Sequence, residues 1–145
     1  MHKINIVCVG KIKEQFYRSA VEEYLKRLSR FAKVEIKEIA EGRNLEEEAS
    51  GILKSAKGKI VALCIEGVKY ASENLAKFIK DATDKGEELT FVIGSSYGLS
   101  ETVKQKADFK LSFSDMTFPH QLMRVILCEQ IYRAFMINSG SEYHK

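Results

Sequence analysis

The chain has 145 residues, of which 45% are hydrophobic and 30% charged, and its formal net charge is +3. This is the make-up of an ordinary soluble globular protein forming one domain over residues 1–145. The total charge is too small to name a partner, and no apolar stretch is long enough to span a membrane.

The distribution of charge says more than its sum. Residues 1–40 hold nine lysines and arginines against five glutamates, whereas residues 61–100 hold four lysines against six acidic residues. A basic N-terminal part suits an anion such as RNA phosphate, and it equally suits a solvated helix face. The first apolar run is short and is followed by Lys11 and Lys13 instead of a small-residue cleavage site, so no signal peptide is expected. Cys8, Cys64 and Cys128 lie far apart in apolar runs with no metal-ligand spacing, so no metal is expected. Unpaired thiols of this kind fit the reducing cytoplasm.

In chain order, residues 4–9 read as a strand covered on both faces. A helix follows, with Phe16, Ala20, Val21, Tyr24, Leu25 and Leu28 at helical spacing and Arg18, Lys26, Arg27 and Arg30 turned outward. Residues 34–39 alternate apolar and charged side chains, the pattern of an edge or half-exposed strand. Asn44 with Glu47 three residues on reads as a capping box, opening a helix whose apolar face carries Ala49, Ile52, Leu53 and Ala56. Residues 60–65 form a third strand that breaks at Gly67, and a helix from near Ser72 carries Leu75, Ile79 and Ala82. A fourth strand at 89–93, a short helix from near Ser100 and a fifth strand at 109–113 complete the alternation. Such alternation predicts an α/β fold with a largely parallel sheet.

The last predicted helix runs from Pro119, the only proline, to Ile137. Proline suits the first helical position. This helix is apolar on most faces, so it must be buried on more than one side. It is either the central core helix or the interface of a homodimer.

Ligands of open α/β sheets bind outside the carboxyl ends of the strands. That rule selects residues 66–70, 94–100 and 114–120. The loop Gly94-Ser95-Ser96-Tyr97-Gly98 is neither a dinucleotide fingerprint nor a phosphate loop. Residues 114–120 pair backbone donors near a helix start with apolar side chains, a surface for an amphipathic ligand bearing an adenine ring.

The stretch Thr117-Phe118-Pro119-His120-Gln121-Leu122-Met123-Arg124-Val125, then Glu129-Gln130-Ile131-Tyr132-Arg133-Ala134 and Tyr143-His144-Lys145, closely resembles the RlmH family of SPOUT RNA methyltransferases. Val7-Cys8-Val9-Gly10-Lys11 and Phe91-Val92-Ile93-Gly94 are similar to it as well. The resemblance implies a SPOUT fold whose C-terminal part forms a trefoil knot, a feature that no periodicity suggests. It further implies transfer of a methyl group from S-adenosyl-L-methionine to N3 of a pseudouridine in large-subunit rRNA, within the ribosome. Carried over position by position, the cofactor is expected at Leu63, Gly94, Phe113, Ser114, Asp115, Met116, Thr117 and Phe118. Relatives usually have a second glycine where Ser95 stands. If that position requires positive φ, serine there is strained by about 1 kcal/mol.

Removal of the acidic imide proton and stabilisation of the resulting negative charge fall, on this resemblance, to His144, Tyr143 and Arg133. These are types suited to proton handling, base stacking and oxyanion contact. Arg124 is a further candidate, and Glu129 is a partner within helical reach of either arginine. The tail is expected to close the active site of its own or a partner subunit.

Overall fold

A computed structural model describes residues 1–145. Five strands form one sheet: β1 (His2–Val9), β2 (Ala32–Ile39), β3 (Lys59–Lys69), β4 (Leu89–Ile93) and β5 (Phe109–Ser112). Their order is β2-β1-β4-β3-β5, and every neighbouring pair is parallel. The helices are α1 (Gln15–Leu28), α2 (Leu45–Ser55), α3 (Ser72–Asp84), α4 (Glu101–Lys106) and α5 (His120–Asn138).

Alternation along each strand explains why the central runs are apolar throughout. Successive side chains leave a strand on opposite faces. On β1, Ile4, Ile6 and Cys8 join the large core beneath α1, α3 and α5, while Val7 and Val9 join the smaller core beneath α2 and α4. On β4, Phe91 and Ile93 take the first side and Val92 the second. The outer strand β2 has only one neighbour and keeps its alternating, half-exposed pattern.

Helix termini follow the local chemistry closely. Asn44 accepts a hydrogen bond from Glu47 N–H at 2.8 Å, but the Glu47 carboxylate pairs with Arg43 and does not return to the cap. Only half of the expected capping box is made. Asn74 reaches back to accept the Ala71 N–H at 2.8 Å, and Ser100 accepts from Val103 N–H at 3.3 Å. Pro119 is the residue that caps α5, one position before the helix proper.

The main departure from expectation is β3, which continues to Lys69 instead of breaking at Gly67. Leu63 and Val68 both stand opposite Leu111 of β5, so residues 64–67 fall out of register between them. Pairing with β5 then resumes, which makes 66–69 strand and not loop. Gly67 permits this, because a Cβ there would lie 2.7 Å from the Lys110 carbonyl carbon.

Helix α5 packs between α1 and α3, with Leu127, Cys128, Ile131, Tyr132, Ala134 and Phe135 buried. Phe31 stacks on Phe135 at 5.4 Å, and Tyr132 meets Tyr24 and Phe31 at tilted angles. One side of α5 is thus a core helix. Leu122 and Ile126 on another side are only half-buried and belong to neither core. No helix is long and apolar enough to cross a membrane.

Candidate active site

A cleft of about 680 Å³ opens at the carboxyl ends of β3, β4 and β5. Three chain segments build its walls: the out-of-register residues of β3, the turn after β4, and the segment between β5 and α5. The β4 turn is tight. Ser95 C=O accepts the Gly98 N–H at 2.9 Å, and the Ser95 hydroxyl accepts the Tyr97 N–H at 3.3 Å. A Cβ on Gly94 would lie 2.3 Å from the Gly98 carbonyl oxygen, so the turn closes only on glycine. No non-glycine residue has positive φ. Ser95 is therefore unstrained, and the missing second glycine leaves the turn intact.

The segment after β5 is shaped by its own hydroxyls. Ser114 Oγ accepts the Met116 N–H at 2.9 Å, and Ser112 Oγ donates to the Ser114 carbonyl at 3.1 Å. Leu63, Gly94, Ser114, Met116, Thr117 and Phe118 all line the cleft. Phe113 and Asp115 do not: Phe113 packs against the large core, and Asp115 points outward to pair with Lys69. The cleft also takes in Glu66, Ser95, Ser96 and Leu99, which lie in the segments selected by the strand-end rule, and Cys64 and Lys104, which the sequence did not single out. Of the predicted segment 66–70, only Glu66 lines it.

The cleft suits a small amphipathic ligand. Its volume lies in the range of small-molecule sites. Its wall combines Ile93, Leu99, Phe118 and Met123 with serines, and the glycine turn lets a ligand approach the main chain closely. No three histidines, cysteines or carboxylates stand close enough together to hold a metal.

The tail residues lie elsewhere. Arg133 is more than three turns along α5 from His120, a separation of roughly 20 Å. Tyr143 Oη donates to Glu129 Oε1 at 2.7 Å, and the Arg133 guanidinium sits over the Tyr143 ring at 4.7 Å. Arg133 also donates to both Glu129 oxygens at 3.2 Å. His144 Nδ1 meets Arg133 at 3.0 Å and Nε2 meets Glu73 at 3.2 Å. A guanidinium has no lone pair, so Nδ1 is the accepting atom. The hydrogen bond to Glu129, reinforced by burial, pushes the Tyr143 phenol up to about 12. The tail is thus ordered by its own contacts, but it closes no part of its own chain's cleft.

Arg124 does not pair with Glu129. Its fully buried guanidinium donates to Glu38 Oε2 and to the Gly10 carbonyl, each at 2.6 Å. The basic residues of α1 are exposed but partly engaged: Arg18 donates to the Ile12 carbonyl and Arg27 pairs with Glu23.

The parallel sheet covered by helices on both faces, with a glycine-edged cleft at its carboxyl edge and no phosphate loop, defines an α/β protein built to hold a small amphipathic ligand. A family model described as a predicted SPOUT methyltransferase matches residues 2–144. The chain belongs to the SPOUT methyltransferase family. Ribosomal RNA large subunit methyltransferase H of Streptococcus uberis is 48% identical, with 99% of each chain covered. The protein of that name from Lactobacillus acidophilus is 49% identical over 98% of this chain and 99% of its own. Among solved structures, a methylase family protein from Neisseria gonorrhoeae shares the fold with a TM-score of 0.56 at 12% identity, covering 90% of this chain and 82% of that one. The SpoU methyltransferase AviRb from Streptomyces viridochromogenes gives 0.52 at 9% identity, over 96% of this chain and 61% of its own.

Proposed function

We propose that the protein is a homodimeric enzyme that transfers a methyl group from S-adenosyl-L-methionine to N3 of a pseudouridine in large-subunit rRNA, acting on ribosomes in the cytoplasm. The observation that carries this reading is the cleft itself: an adenosine-sized site edged by main chain, in a SPOUT chain whose full-length relatives are named for large-subunit rRNA. The trefoil knot belongs to the same reading. It is supported by the meeting of residues 63–66, 94–99 and 112–119 at one cleft.

When bound, the cofactor supplies an electrophilic methyl group. The main chain around Leu63 and Gly94 and the segment Phe113, Ser114, Asp115, Met116, Thr117 and Phe118 would hold it, with Phe113 and Asp115 contributing backbone alone. The chain's remaining task is to present N3 and take up its imide proton, since orientation is the chief demand of a displacement. His144 is the candidate acceptor, Arg133 the candidate partner for negative charge on the ring oxygens. In the folded chain these two engage each other, so substrate must displace the Arg133–His144 contact before either acts. Tyr143, held protonated, is a donor or a stacking surface and not a base.

The distance of this cluster from its own cleft supports a homodimer in which one subunit's tail serves the other's cofactor. The half-buried strip of α5 carrying Leu122 and Ile126, with Glu129 and Arg133 beyond, is a surface for the partner's helix. Thermal unfolding with and without cofactor tests the site. A ligand that binds only the folded state adds about 2.7 kcal/mol at 100 times its dissociation constant. Saturating S-adenosyl-L-methionine should raise the melting temperature, and an unchanged melting temperature in folded protein contradicts the reading.

A further inference from the structure

Only two side chains of full charge line the cleft, Glu66 and Lys104, and they pair with each other at 2.5 Å. Lys104 stands in the last turn of α4, the short helix that follows the glycine turn, and its side chain is 17% exposed. Glu66 lies among residues 64–67 of β3, which fall out of register with β5. The neighbouring Glu101 lies 3.8 Å from the same ammonium. The Glu66 carboxylate raises the Lys104 pKa and is itself lowered by Lys104, so both groups stay charged.

We propose that this ion pair is the subsite for the amino-acid end of the cofactor, Lys104 receiving the α-carboxylate and Glu66 the α-ammonium. The inference rests on the cofactor reading above and deepens it. An α-amino acid carries opposite charges on one carbon, and a lysine–glutamate pair offers the complementary charges on one wall. The Lys104 ammonium has three donors, of which Glu66 Oε1 takes one at hydrogen-bond distance. Glu66 retains its second oxygen. Partial burial of Lys104 strengthens its attraction for a carboxylate relative to a lysine in open water. The rest of the cleft, with its glycine turn, serines and apolar side chains, is left for the nucleoside.

Two ligands separate the ends of the cofactor. S-adenosylhomocysteine carries the amino-acid group, and methylthioadenosine has the nucleoside and thioether without it. Calorimetric titration of the full chain should show the first binding more tightly to the unaltered protein. Lys104→Met should weaken S-adenosylhomocysteine about ten- to a hundredfold, the value of a hydrogen bond to a charged group, and leave methylthioadenosine unchanged. Lys104→Arg should restore most of the difference. Glu66→Gln, the variant to rely on should Lys104→Met not fold, should weaken the same ligand alone. Equal losses for both ligands would show that the pair only holds the cleft's shape, and unchanged binding of both would remove it from the site; either overturns the proposal. Failure of both ligands to bind the unaltered protein would instead overturn the cofactor reading on which it stands.

Discussion

Arg124 is the largest side chain that is fully buried, and its guanidinium ties the start of α5 to the ends of β1 and β2. Glu38 also accepts the Ile12 N–H at 3.1 Å, so one carboxylate fixes both α5 and the loop after β1. Burial pushes the Glu38 carboxyl up, but the Arg124 guanidinium and the Ile12 N–H outweigh it and leave the group below its usual range. The stability Glu38 lends is therefore complete above the ordinary carboxylate range and is lost as pH falls through the folded value. Glu38→Gln should cost about 2 kcal/mol at neutral pH, less than for a wholly buried pair because the Glu38 side chain is 37% exposed. Urea unfolding at pH 7 and pH 3 checks this, and the difference between variant and unaltered protein should shrink at the lower pH. His144→Ala should lower the transfer rate by about 10²–10⁴-fold with little change in cofactor affinity, read by single-turnover kinetics and calorimetry. Near-normal transfer would leave the proton to another group. Cys8 and Cys128, each pushed up to about 12 by burial, should resist thiol-modifying reagents until the protein unfolds.

Among the elements, β3 decides the shape of the site. Gly67→Ala would press a methyl group into the β5 backbone, and Gly94→Ala would press one into the Gly98 carbonyl. The first should lower the melting temperature. The second should reduce cofactor affinity at least tenfold while circular dichroism keeps its α/β form, because the turn must open by more than a soft side chain could yield. On α1, Arg18 and Arg27 already have partners within the chain and Lys26 forms no ion pair, while Arg30, just past the helix, meets Met136 Sδ and the Phe31 ring but no carboxylate. Neutralising all four should lower the salt slope of ribosome binding by about two units and not four. All five strands and five helices were legible in the sequence because apolar runs and helical spacing track burial directly. The continuation of β3 was not legible, since Glu-Gly after an apolar run reads as a turn and its pairing depends on β5, over forty residues on. The cleft-lining residues of the two loops could be read from the resemblance and Glu66 from the strand-end rule, but Lys104 could not. The Glu66–Lys104 pair joins β3 to α4, a contact that no periodicity reveals. The partner of Arg124 was hidden in the same way, because Glu38 is 86 residues distant in sequence and looks like an ordinary edge-strand charge.

At the scale of the whole molecule, the cleft and the cluster of Arg133, Tyr143 and His144 lie toward different ends of α5. A second copy unites them if it packs α5 against α5. Light scattering at micromolar concentration should give about twice the 16.5 kDa chain mass. Ile126→Glu should shift that mass toward the monomer, abolish transfer and preserve cofactor binding, since Ile126 does not line the cleft. A monomeric unaltered protein that still methylates would contradict the shared site. The most direct test of the account is transfer of a labelled methyl group from S-adenosyl-L-methionine to ribosomes from cells that lack the protein. Label should enter the large-subunit rRNA and be found, by mass spectrometry of the nucleosides, on N3 of a pseudouridine; label absent from that rRNA, or present only on another nucleoside, would contradict it.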